Sequence, residues 1–220
     1  MKILILLLMI PYILFAESLT KIYSVPPNIK QKMINGGSWH KGCPVSISDL
    51  KYLKIPYYDF KQQKRVGELI VHKFVAKDVA DIFDKLYKRR YPIRSMKLVS
   101  HYGASDFKSI EADNTSAFNC RAVTGGKKWS NHSYGKAIDI NPIENPYISR
   151  SGHISHPKSL RYRYRGESNR GSAENEAVIR GGSYIVKLFK RKGWRWGGDW
   201  RTIKDYQHFD KPTKGRTSAH

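Results

Sequence analysis

Ser130-Asn131-His132-Ser133-Tyr134-Gly135-Lys136-Ala137-Ile138-Asp139 is the stretch from which both fold and chemistry are read. It sets an imidazole and a carboxylate seven residues apart, with a turn at Tyr134-Gly135 that lets both face one cleft. Further along, Asp205-Tyr206-Gln207-His208-Phe209 adds a second imidazole. His132, Asp139 and His208 are two imidazoles and a carboxylate, a set that suits zinc and leaves a fourth position open for water. Asp205, three residues before His208, can stand beside such a metal without ligating it and carry a proton there.

Working outward, Ala137 to Ile140 is apolar apart from Asp139 and reads as a short central strand bearing one ligand, ended by Asn141-Pro142. The run Trp194-Arg195-Trp196-Gly197-Gly198-Asp199-Trp200 turns the chain toward a final strand that delivers His208, its tryptophans reading as core. Glu68 to His72 is strand-like, and Val75, Val79, Ile82, Phe83, Leu86 and Tyr87 form the apolar stripe of a helix that Pro92 stops. Met96 to Tyr102 has the alternation of a second strand, and Phe107 to Lys128 reads as a long ordered loop. Ala177, Gly181, Ile185, Leu188 and Phe189 mark a further helix, with Gly193 as its stop. Ser24 to Asp59 lacks a sustained period and reads as an extended arm, and basic Ser149 to Ser172 reads as a surface loop. The pattern is α+β: a small antiparallel sheet with flanking helices. Its expected divisions are a leader over 1–16, an N-terminal arm over 17–65, a catalytic domain over 66–210 and a basic tail over 211–220.

The 220 residues suit one domain with a real core. Met1-Lys2, the apolar run Ile3 to Phe15 and Ala16 read as a secretory signal, too short to span a bilayer easily and leaving no membrane segment after cleavage, with an uncleaved N-terminal anchor as the rival reading. A formal charge of +22 attracts polyanions. Export redirects that attraction from nucleic acid, which is not expected, to anionic polymers of the wall or envelope. In an exported chain the solitary pair Cys43 and Cys120 predicts one disulfide, and neither lies in a Cys-x-x-Cys. His40, His72, His101 and His220 have no carboxylate or histidine at a motif spacing, and Gly152 and Pro157 argue against a helix joining His153 to His156.

The pattern Ser-x-His-x-x-Gly-x-Ala-x-Asp, followed by an acidic residue, two spacers and His, resembles the D-alanyl-D-alanine carboxypeptidase and L-alanyl-D-glutamate peptidase metallopeptidases. Their wider group includes the lysostaphin-type and hedgehog-like zinc folds. The resemblance covers about residues 95–210. It implies a hedgehog/DD-peptidase-like core, Zn(2+) as cofactor, His132, Asp139 and His208 as its ligands and Asp205 as general acid/base. It further implies an exported, periplasmic or wall-associated peptidase acting on the peptide stems of bacterial peptidoglycan, as a carboxypeptidase or an endopeptidase. Family members carry an Arg upstream of the first His, which makes Arg121 the candidate for stabilising an oxyanion or holding a substrate carboxylate. Ser130 matches the motif serine and either binds a substrate carboxylate or supports the His132 loop. The rival reading is a wall-binding protein that keeps the metal scaffold without turnover; the carboxylate of Asp205 argues for catalysis.

Overall fold

A computed structural model of the chain describes residues 18–123, 126–166 and 171–212. The expected leader, residues 1–16, lies outside them, as do residues 213–220 of the tail. The first half is organised by a long hairpin. Strands β2 (Leu50–Tyr58) and β3 (Lys64–His72) pair antiparallel from Leu50↔His72 to Tyr58↔Lys64, and β1 (Lys21–Ser24) joins the outer edge of β2. Successive side chains of a strand alternate between faces. Leu53, Ile55, Leu69 and Val71 therefore share the face covered by α2 (Ala76–Lys88), packing with Val79, Ile82, Phe83 and Leu86. Leu50, Tyr52 and Ile70 face the other way, against Ile29 and Met33 of α1 (Pro27–Asn35).

The segment expected to wrap the domain as an arm therefore holds a helix and the middle strand of this sheet. Both signals were present in weak form. Pro27 at the first turn and Gly36-Gly37 after the last bracket α1, whose buried positions Ile29 and Met33 are four apart. Pro56 disguises β2, since proline cannot donate to a ladder. It is tolerated because β1 pairs only with Lys51 to Lys54, leaving β2 a free edge at that point among the described residues.

The second half adds a small antiparallel sheet in the order β6 (Ala137–Asp139), β10 (His208–Asp210), β8 (Arg195–Trp196). Two-stranded pairs accompany it: β7 (Tyr147–Ile148) with β9 (Lys204–Asp205), antiparallel, and β4 (Ser95–Met96) with β5 (Asn114–Thr115), parallel. Helices α3 (Asp106–Glu111), α4 (Ala173–Ala177) and α5 (Tyr184–Arg191) complete the order. Ile138, Phe209 and Phe189 belong to the same core as Leu53 and Leu69, with Phe189 and Phe209 stacked at 4.0 Å. The two sheets thus share one interior. This is the mixed α/β architecture, built on small antiparallel sheets, that the sequence implies.

Local expectations differ in four places. The strand expected over Met96 to Tyr102 stops at Met96 and gives way to a 3-10 turn at Val99–Tyr102. The expected loop after Phe107 contains most of α3 and all of β5. The helix expected from Ala177 is two helices, because Gly181-Gly182 breaks the chain, with Gly182 at φ 75°. Within the basic 149–172 segment, Pro157–Tyr162 forms a 3-10 turn and Arg165 points inward. Arg165 donates to Asn145 Oδ1 and to the Ile179 carbonyl, both at 2.6 Å. The expected disulfide is present: Cys43 and Cys120 are bonded with Cα atoms 5.8 Å apart, across 77 residues of chain. Closing so long a loop removes unfolded-state entropy worth ~4 kcal/mol. Among the described residues no helix is long and apolar enough to cross a membrane.

One buried acidic pair gives stability a pH dependence. Glu144 is 1% exposed and Asp113 is buried beside it, with Arg94 at 3.8 Å and 3.4 Å respectively. Burial, then the neighbouring Asp113 charge, pushes the Glu144 carboxyl well above the glutamate range. Burial raises Asp113 as well. A carboxyl whose folded pKa exceeds its unfolded value contributes stability at low pH, which is lost as pH rises through the folded pKa. Glu144→Gln removes that titration, so its urea midpoint should fall less than that of the wild type between pH 5 and pH 9. Identical pH slopes for the two proteins would contradict the shared-proton pair.

Candidate metal centre and active site

Ser130 begins the first motif as the cap of a 3-10 turn, Asn131–Tyr134, its Oγ accepting from the His132 N–H at 3.3 Å. Gly135 ends the turn at φ +62°, and a Cβ there would lie 2.6 Å from the His72 nitrogen. That N–H donates to the Gly135 carbonyl at 2.8 Å. The motif glycine thus serves a left-handed turn and a close approach, docking the His132 turn on the end of β3. Ala137 and Ile138 then bury completely, leaving Asp139 to point into the cleft.

Asp139 stands directly opposite His208 in the β6–β10 ladder. Cross-strand partners present their side chains on one face. His208 Nδ1 lies 3.0 Å from Asp139 Oδ1, and His132 Nε2 lies 3.2 Å from Asp139 Oδ2 and 3.3 Å from His208 Nδ1. His132 Nδ1 donates to the Ala117 carbonyl at 2.6 Å, which fixes the tautomer and turns the Nε2 lone pair inward. For tetrahedral zinc with bonds of about 2.0–2.1 Å, neighbouring donors sit about 3.3–3.4 Å apart. The three donor atoms already stand close to that spacing, so the residues fit the metal.

The electrostatics agree. Burial favours a neutral Asp139, but His132 and then His208 outweigh it and hold the carboxyl far below the usual range. Burial likewise opposes charge on His208, yet the hydrogen bond and charge of Asp139 raise its pKa to about 9. Trp200 packs against the His208 ring at 5.5 Å, while Trp194 and Trp196 are core, as their spacing implied.

Asp205 is not part of this donor cluster. It sits on β9 opposite Tyr147, and its Oδ1 is buried with no hydrogen-bond partner among the described residues. Burial raises its pKa to about 6; His208 pulls it down and the Asp139 charge adds to the rise. Gly197 makes room for it, since a Cβ at that position would meet the Asp205 carbonyl oxygen at 2.4 Å. Arg121 follows the disulfide: its N–H donates to Ser133 Oγ at 2.8 Å, and Ser133 Oγ donates to the Arg121 carbonyl at 2.6 Å. Its guanidinium pairs through Nε with Asp106 and donates through Nη1 to the Ala122 carbonyl at 3.0 Å. Of the two roles open to Ser130, the structure displays support of the His132 turn.

A second cluster of possible donors, His40, Cys43 and Cys120, has both sulfurs in the disulfide. Sequence reasoning missed the Ala117 carbonyl, Ser133, Asp106 and Gly197. Of these, Ser133 lies within the first motif and Gly197 within the Trp194–Trp200 run, but their value depends on contacts with distant chain.

Residues 124–211 match the family model described as D-alanyl-D-alanine carboxypeptidase. The matched segment is similar to that family over 124–211. The match includes His132, Asp139, Asp205 and His208, and begins just after Arg121. No curated protein and no solved structure matches the chain significantly. The geometry of this site leads to a direct expectation. Purified protein should carry one zinc per chain by elemental analysis, and His132→Ala and His208→Ala should each lose it. Metal retained at wild-type level in both variants would put the site elsewhere.

Proposed function

We propose that the protein is an exported zinc peptidase that hydrolyses amide bonds in the peptide stems of bacterial peptidoglycan. The observation that carries this reading is the convergence of His132, Asp139 and His208 beside a separate, half-buried carboxylate, Asp205. A zinc ion held by those three residues would supply Lewis acidity to the scissile carbonyl and to the attacking water. Asp205 accepts the proton that water loses and returns it to the departing amine. Its raised pKa suits both halves of that cycle, because it is neither too weak a base nor too weak an acid near neutrality. The Ala117 carbonyl holds the His132 imidazole in one tautomer and orientation. Arg121, with its backbone tied to Ser133, offers a fixed positive charge for the oxyanion or for a substrate carboxylate.

The bond cut is either the D-alanyl-D-alanine bond or the L-alanyl-D-glutamate bond. Export rests on the leader read in residues 1–16, and the charge of +22 supports retention on anionic wall or envelope polymers. A wall-binding protein without turnover would have no use for an Asp205 whose Oδ1 is buried without a hydrogen-bond partner among the described residues.

Asp205→Asn preserves shape and removes the proton acceptor. Hydrolysis of defined muropeptides, followed by mass spectrometry, should fall by the ~10²–10⁴-fold typical of a lost general base, with zinc content and unfolding midpoint near wild type. Near-normal turnover would end the proposed mechanism. Loss of zinc in this variant would make Asp205 a ligand instead.

A further inference from the structure

Three consecutive residues beside the His132 turn, Asn119, Cys120 and Arg121, are each anchored by a different part of the chain. Cys120 is held by the disulfide to Cys43, and its N–H donates to the Ser38 carbonyl at 3.0 Å. The backbone of Arg121 is zipped to Ser133 and accepts from the Ser130 N–H at 3.1 Å, so it moves with the His132 turn. The side chains of Asn119 and Arg121 converge on one acid. Asp106, at the start of α3, accepts from Asn119 Nδ2 at 2.8 Å through Oδ1 and pairs with Arg121 Nε through Oδ2. Asn119 Nδ2 also donates to the Ala104 carbonyl at 3.0 Å, just before α3.

These contacts divide the guanidinium. Nε faces Asp106 and Nη1 faces the Ala122 carbonyl, while Nη2 has no hydrogen-bond or ion-pair partner among the described residues. A planar guanidinium held at two of its three nitrogens has its remaining donors aimed in a fixed direction. The Asp106 contact is only partly exposed, with side-chain exposures of 32% for Asp106 and 30% for Arg121, so water competes with it only in part. Two fixed points on the head group and a backbone locked to Ser133 leave Arg121 little freedom.

We infer that Asp106 is a positioning residue for the reaction: it sets the direction of the Arg121 guanidinium and leaves Nη2 to meet the substrate. The inference rests on the reading that Arg121 touches substrate. It concerns how α3, which contributes no donor to the metal cluster, enters the chemistry. Because Asp106 acts through Arg121, its removal should alter the same kinetic constant that loss of Arg121 alters and should have no effect once Arg121 is gone.

The test is a double-mutant cycle of Asp106→Asn and Arg121→Gln, with zinc content and unfolding midpoint measured for every variant. Each single variant should lower kcat/KM on muropeptides by ~10–100-fold, the scale expected from misplacing one charged contact by about 1 Å. Both should show the same division between kcat and KM, and the double variant should be no slower than Arg121→Gln. Asp106→Glu, which keeps the carboxylate, should recover part of the loss. Independent losses that multiply in the double variant would overturn the inference, as would a rise in kcat/KM for Asp106→Asn, which would show that Asp106 withdraws the guanidinium from substrate. The Arg121 Nε–H resonance distinguishes failure of this inference from failure of the underlying reading. If Arg121→Gln turns over normally while that resonance shifts in Asp106→Asn, the substrate role of Arg121 is wrong and the inference falls with it. If Arg121→Gln is impaired but the resonance does not respond to Asp106→Asn, only the positioning role fails.

Discussion

The pairing of His208 with Asp139 across β6 and β10 is the constraint on which the site depends. Strand side chains alternate with a period of two, so a slip of one residue would turn the donors of one strand away from those of the other. The register is fixed by what lies behind the site. Ile138 and Phe209 are the next cross-strand pair, both fully buried, with Phe209 stacked on Phe189 of α5. Asp210, beyond them, accepts from Asn131 Nδ2 at 2.5 Å and pairs with Arg195. One three-residue strand therefore presents a candidate metal donor, a core aromatic and a structural carboxylate in sequence, and the apolar middle residue determines which way the outer two face.

That arrangement carries an electrostatic consequence. Two imidazoles and two carboxylates gathered largely out of water are costly unless their charges are matched. In the protein itself Asp139 is held ionised and a proton is favoured on His208, so the pair forms its own internal salt bridge. Binding a divalent cation would displace that proton, which couples metal affinity to pH. Asp205 stands apart from this exchange: burial keeps its proton affinity high, and Gly197 lets the Trp-Gly-Gly turn press against its backbone.

The sequence makes the site more legible than the fold around it. His132, Asp139, Asp205 and His208 could be named because their types and spacings are local, and the chain supplies what those types need. Gly135 was readable as a turn, but its second duty, admitting the His72 amide of β3, depends on a contact over 60 residues distant in sequence. The same limit applies to Arg121, whose partner Asp106 looks like an ordinary first-turn acid of a short helix. In the first half, Pro56 concealed a central strand because its compatibility depends on where β1 stops pairing. Arg165 read as surface charge, yet carbonyls from Glu144 and Ile179 draw it inward. In each case the missing information was tertiary: a carbonyl, an edge or a carboxylate delivered by another element.

X-ray absorption at the zinc edge tests the central claim most directly, because it reports the donor atoms and not only the presence of metal. On wild-type protein loaded with one equivalent of zinc, the account predicts a first shell of nitrogen and oxygen at about 2.0–2.1 Å with outer-shell scattering from two imidazoles. A sulfur shell at about 2.3 Å would place the metal at Cys43 and Cys120 and contradict it, as would a shell without imidazole.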